Sequence, residues 1–236
     1  MVWSDDFDGP EGSPPRTEFW QHEVGGGWGD AQLQRYVDST STASITADGQ
    51  LAITALREHD GVVSARLITK DRVLVSYGRV EARIKVPTGT GLWPAFWMLG
   101  SNIDEVGWPH CGEIDVMEYV SSEPTTVHGT VHGPGFAGVG AGIGHAHDSG
   151  VDLAADFHVY AVEWESERIT WLLDDVPYFS LEPGGVPDGG WVFQHGFYLL
   201  VNLAVGGGWP GNDAAADLPA SMLVDWVRVH APRTDA

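Results

Sequence analysis

Glu113, Asp115 and Glu118 fall within six residues, in the segment Gly112-Glu113-Ile114-Asp115-Val116-Met117-Glu118-Tyr119-Val120. Closely set carboxyls can split acid–base labour. Crowded like charges raise one pKa, so one member stays ionised while a neighbour keeps its proton. An ionised carboxylate as nucleophile and a protonated carboxyl as acid are what glycosidic-bond cleavage with retention requires. On that chemistry Glu113 is the nucleophile and Glu118 the acid/base. Asp115, between them, shares a proton and orients Glu113. The titration belongs to the cluster and not to single residues. Spacing alone also fits a solvated polar face or a calcium site, in a chain with 33 Asp and Glu.

The element carrying the trio decides whether the three can meet. On a helix, at about 100° per residue, Glu113 would point away from the other two. On a strand, Glu113 and Asp115 share a face and Ile114 and Val116 lie behind. Strict alternation then turns Glu118 to the wrong side, because an offset of five is odd. One extra residue near Val116-Met117, a β-bulge, restores it. The pair is then four strand steps apart, about 13 Å between Cα atoms at ~3.3 Å per step. Two glutamates leaning together can approach the ~5–5.5 Å of a retaining pair.

The rest of the chain reads as strands. Val80, Ala82, Ile84 and Val86 alternate with Glu81, Arg83 and Lys85. Leu51–Leu56, Val159–Glu165, Ile169–Leu173, Phe197–Leu203 and Met222–Val229 read likewise, and helical periodicity is nearly absent. Turn signals at Asp48-Gly49, Asp174-Asp175 and Gly206-Gly207-Gly208 separate them, helped by 31 Gly and 14 Pro overall. Residues 1–236 therefore form one all-β domain, a jelly-roll sandwich of two antiparallel sheets. Gly133–Gly150 reads as the longest loop.

Charge narrows the partners. The formal net charge is −21, which repels nucleic acid and anionic membranes and leaves a neutral polymer acceptable. No run of apolar residues is long enough for a spanning helix. Eleven Trp exceed what a core of this size needs, and indole faces stack on pyranose rings; several could equally fill the core. Cys111 is the only cysteine, so no intrachain disulfide forms. It reads as a small packing residue. The start, Met1-Val2-Trp3-Ser4, is no signal peptide and reads as a mature domain with an added Met.

Glu113-Ile114-Asp115-Val116-Met117-Glu118 matches the E-[IL]-D-x-x-E signature of glycoside hydrolase family 16. The chain resembles the bacterial laminarinase branch of that family along nearly its whole length. The match includes Asp5–Gly9, Tyr77–Lys85, Gly91–Leu99, Trp108-Pro109, Thr130–Gly133, Asp156–Tyr160, Asn202–Gly207 and Met222–Val229. The resemblance implies a jelly-roll sandwich with a substrate cleft on the concave face. It implies retaining endo-hydrolysis of β-1,3-glucan, with Glu113 as nucleophile and Glu118 as acid/base. A mixed-linkage β-1,3-1,4-glucanase is the near alternative, and a non-catalytic β-glucan-binding module the alternative from another class. The binding module is disfavoured because such relatives lose the glutamates that this chain keeps.

Further positions follow from the resemblance. Trp93, Trp97, Trp108, His132, Asn202 and Trp209 correspond to cleft residues, and Arg79 to an arginine beside the nucleophile. Arg79 could instead pair with Glu81, and Trp93 and Trp97 could be core. His128 reads as structural, and His145 and His147 as a weak metal signal. One structural calcium is implied, held by Asp6 and Gly49 through main-chain carbonyls and by Asp225, and no organic cofactor. A secreted monomer acting on polysaccharide is expected. The chain departs from the branch at Trp28–Tyr36 and at Gln194–Phe197, which affects fine substrate preference rather than the trio.

Overall fold

The computed structural model describes residues 1–211 and 217–232. They fold into two stacked sheets, one of ten strands and one of seven. Alternation sets the inner faces. In Gly78–Lys85, Val80, Ala82 and Ile84 are fully buried between the sheets. The core they join includes Leu51, Ile53, Phe96, Ile114, Trp164, Phe197 and Val224.

The seven-stranded sheet carries the trio. Its order is Ile143–Asp148, Thr126–His132, Glu113–Glu118, Leu92–Gly100, Phe197–Val205, Arg66–Ile68 and Gln21–His22. The trio strand is therefore central, held by a partner on each side. Pairing is antiparallel throughout this sheet. The other sheet departs from the expectation at one place: Gln34–Tyr36 pairs with Gly61–Ser64 in parallel.

A second correction concerns Gly133–Gly150. It is not one loop, because Ile143–Asp148 is an edge strand running from Val131↔Ile143 to Thr126↔Asp148. Its sequence lacks apolar alternation since much of it is exposed. Glycine is needed there for close approach: a Cβ on Gly144 would lie 2.3 Å from the Gly129 carbonyl oxygen.

Candidate active site

The bulge expected at Val116-Met117 is present. Asp115 pairs with Trp97 and Met117 with Phe96, so Val116 is the extra residue on its strand. Five positions separate Glu113 from Glu118, yet their partners Leu99 and Ala95 are four apart. Val116 and Met117 are both fully buried, so two consecutive apolar side chains enter the core. That double insertion turns Glu118 back to the face of Glu113 and Asp115. The bulge is pinned from the opposite sheet, where Trp171 Nε1 donates to the Asp115 carbonyl at 2.8 Å. Gly129 makes room for that indole, since a Cβ there would meet Trp171 Cδ1 at 2.4 Å.

A cleft of about 850 Å³ opens over this floor. Glu113, Asp115, Glu118, Trp93, Trp97, Trp108, His132, Asn202 and Trp209 all line it. Each catalytic-strand glutamate is held by its own indole. Trp108 Nε1 donates to Glu113 Oε2 at 2.6 Å, and Trp93 Nε1 to Glu118 Oε1 at 3.1 Å. Trp97 Nε1 donates to Asn202 Oδ1 at 2.8 Å. Trp209 packs edge-on against Trp93, with centroids 5.1 Å apart. Five of the eleven Trp line the cleft, Trp28 being the fifth, while Trp20, Trp164 and Trp171 fill the core.

Burial dominates the electrostatics. It pushes Glu113 up to about 7, against the hydrogen bond from Trp108, the Arg66 charge and a hydrogen bond from Asp115. Burial, followed by the Glu113 charge, pushes Glu118 up to about 8. Asp115 rises well above the usual carboxylate range through burial and the charges of Glu118 and Glu113. Of the two glutamates Glu113, raised less, is thus the one that ionises first, and Glu118 keeps its proton longer. Burial also drops His132 to about 4, so its imidazole is neutral.

Arg79 is a correction. Its strand belongs to the ten-stranded sheet, where odd positions face away from the core. The guanidinium pairs there with Glu81 at 2.8 Å, Glu163 at 3.5 Å and Asp175 at 2.5 Å. The cation acting on Glu113 is Arg66. Its guanidinium lies over Trp28 and Trp97, at 4.6 and 4.7 Å from the ring centroids, and pairs with Glu23 at 2.7 Å. The available signal was a lone arginine in the apolar run Val62-Val63-Ser64-Ala65-Arg66-Leu67-Ile68. We expect Arg66→Ala to lower kcat/KM on glucan at least tenfold, on the scale of ~1.4 kcal/mol. Arg79→Ala should lower the melting temperature and leave kcat/KM within about twofold. The reverse pattern would return the role to Arg79.

Other residues also sit differently from expectation. His128 is cross-strand from Glu118 and lines the cleft, its ring 4.7 Å from that of Trp209 and its Nε2 2.9 Å from Glu123. Trp28 and Tyr36 line the cleft as well, within the stretch that departs from the laminarinase pattern. His145 and His147 stack on Phe179 and Tyr178, at 5.8 and 4.7 Å, joining the edges of the two sheets. Cys111, by contrast, is the packing residue it was expected to be, buried in a small cluster with Ile68, Leu99, Tyr198 and Leu200.

None of the three positions implied for calcium lines this cleft. Asp225 is the extra residue of a bulge, between Val224, which pairs with Leu51, and Val227, which pairs with Asp5. Gly49 and Asp6 flank those partners. Asp225 Oδ2 accepts from Arg83 at 2.7 Å and Asp6 Oδ1 from Arg228 at 3.1 Å. These bonds use one oxygen of each carboxylate. The remaining set is oxygen only and fits a hard cation.

The comparisons agree with this geometry. The family described as Glycosyl hydrolases family 16 matches residues 27–228. The chain is 39% identical to the beta-glucanase of Rhodothermus marinus, over 98% of this chain and 84% of that protein. The crystal structure of the endo-beta-1,3-glucanase from Pyrococcus furiosus is similar at a TM-score of 0.91 and 44% identity, over 100% of this chain and 95% of that one. The laminarinase catalytic domain from Thermotoga maritima has a TM-score of 0.90 and 39% identity, over 99% and 98%. On the family match, its length and the carboxylate-bearing bulge at the cleft floor, this chain belongs to glycosyl hydrolase family 16.

Proposed function

We propose that the protein hydrolyses internal β-1,3 bonds of laminarin-type glucan with net retention. One observation carries this reading: the bulge sets Glu113 and Glu118, each gripped by a separate indole, on one face of an open, Trp-lined cleft. Glu113, which ionises before Glu118, attacks the anomeric carbon and forms a glycosyl ester. Glu118, still protonated, donates to the departing glycosidic oxygen. Water then enters, Glu118 takes its proton, and the ester opens with the original configuration. Asp115 keeps its own proton on Glu113 and holds that carboxylate in line. Trp93, Trp97, Trp108 and Trp209 offer ring faces and edges to pyranose units on either side of the trio.

The test is incubation with laminarin, barley mixed-linkage glucan and carboxymethyl cellulose, following reducing ends and product anomers by NMR. β-Anomeric oligosaccharides released fastest from laminarin support the reading. Faster release from barley glucan would favour the mixed-linkage alternative. Binding without release would make the chain a recognition module.

The physiological setting is part of the proposal. The enzyme acts outside the cell, because polymeric glucan does not cross membranes. It works as a monomer without an organic cofactor, nucleic acid or membrane partner. One calcium, at Asp6, Gly49 and Asp225, staples the N-terminal strand to the last one. Chelation by EDTA should lower the melting temperature and added Ca2+ restore it. Mass action gives about 2.7 kcal/mol when the ion stands at 100 times its dissociation constant. An unchanged melting curve in EDTA would remove calcium from the account.

A further inference from the structure

Beside the nucleophile Glu113, the catalytic floor holds buried donor atoms that the hydrolytic steps leave unused. Asp115 is 3% exposed, and its Oδ2 has no hydrogen-bond partner. That oxygen faces His132 Nε2 at 3.4 Å, without the geometry of a hydrogen bond. His132 Nδ1 is likewise buried and without a partner. One donor atom each from Glu113, Asp115 and His132 lies within 4.8 Å of the others. The backbone holds this arrangement, since Glu113 and Asp115 are two apart on one strand and His132 is directly cross-strand from Glu113.

A buried carboxyl oxygen facing an imidazole nitrogen is satisfied only when a proton or a cation lies between them. An imidazole nitrogen with two carboxylate oxygens is a zinc-type donor set, like the His/Glu combinations of three-ligand zinc sites. Donors at ~2.0–2.2 Å from a tetrahedral ion stand about 3.4 Å apart, which is the His132–Asp115 separation. Ca2+ and Mg2+ prefer oxygen-only shells and discriminate against imidazole.

We propose that Glu113, Asp115 and His132 form a Zn2+ site that reversibly closes the catalytic centre. On binding, the ion takes the place of the carboxyl proton between Asp115 and Glu113, and that proton leaves to solvent. No electron transfer is involved. With its carboxylate on the ion, Glu113 cannot bond to an anomeric carbon, so metal and substrate exclude one another. Ion binding depends on geometry alone; only the inhibition rests on the glucanase reading.

The test uses the full chain with Ca2+ saturating, so that the oxygen-only positions are filled. Calorimetric titration with Zn2+ should show one ion per chain and a raised melting temperature. Release of reducing ends from laminarin should fall about tenfold with Zn2+ at ~10 times its dissociation constant, and return after chelation and readdition of Ca2+. His132→Ala and Asp115→Asn, each checked for folding by circular dichroism, should weaken Zn2+ at least tenfold. Unchanged affinity in a folded variant overturns the site, as does absence of binding to the wild type. Because Asp115→Asn is isosteric, it decides the matter if His132→Ala does not fold. Zn2+ binding that His132→Ala abolishes, in a protein inert on every glucan, would keep the metal site and discard the glucanase reading.

Discussion

Glu113→Gln and Glu118→Gln each lower kcat/KM on laminarin at least a hundredfold: the first removes the nucleophile that forms the glycosyl ester, the second a general acid–base group worth ~10²–10⁴-fold. Both amides keep the side-chain shape and remain acceptors for Trp108 and Trp93, so the fold should persist. The two variants part on an aryl glycoside with a good leaving group, where departure needs no proton. Glu118→Gln should then complete the first half-reaction and accumulate glycosyl-enzyme, while Glu113→Gln stays inert. Mass spectrometry of the intact protein reads the difference. Wild-type rates in either variant would sink the assignment. Accumulation in Glu113→Gln instead would exchange the two roles.

The second expectation concerns stability, and its sign follows from burial. Glu113 is raised to about 7 and Glu118 to about 8, from an ordinary 4.5. The native state therefore holds these protons where the unfolded chain has lost them. Stability is fully present below about pH 4.5 and falls as pH rises toward 8, by at most ~1.4 kcal/mol per pH unit for each group. Asp115 adds in the same direction. The melting temperature of wild type should drop between pH 5 and pH 8. That of Glu118→Gln should drop less, and at pH 8 the inactive variant should be the more stable protein. Parallel curves would mean that the cluster carries no burial penalty. The limbs of the pH–rate profile belong to the coupled cluster, and both should lie above 4.5.

Much of this was legible in one dimension. Period-2 alternation marks the long strands, and the odd offset between Glu113 and Glu118 by itself demands a bulge. The trio, its three neighbouring indoles and Asn202 were named from motif positions and share one cleft. What failed did so for identifiable reasons. Arg79 lies in a well-matched segment, but a strand segment does not say which sheet it joins. Arg66 sat in a three-residue strand, Arg66–Ile68, too short for periodicity to speak. Gly133–Gly150 hid an edge strand because exposed edges need no apolar alternation. His128 faces the cleft with His132, because the two are four apart on one strand and alternation puts them on the same face.

The sequence by itself determined the chemistry and the fold class. Side-chain type sets what a group can do, and alternation sets which face it takes along its own strand. Only the tertiary structure decided which of those faces meet. Arg66 reaches Trp97 through the pairing of Arg66 with Asn202 and of Asn202 with Ala95, contacts far apart in the chain. The raised carboxyls are tertiary for the same reason: desolvation comes from neighbours that other strands bring, and no local spacing encodes it.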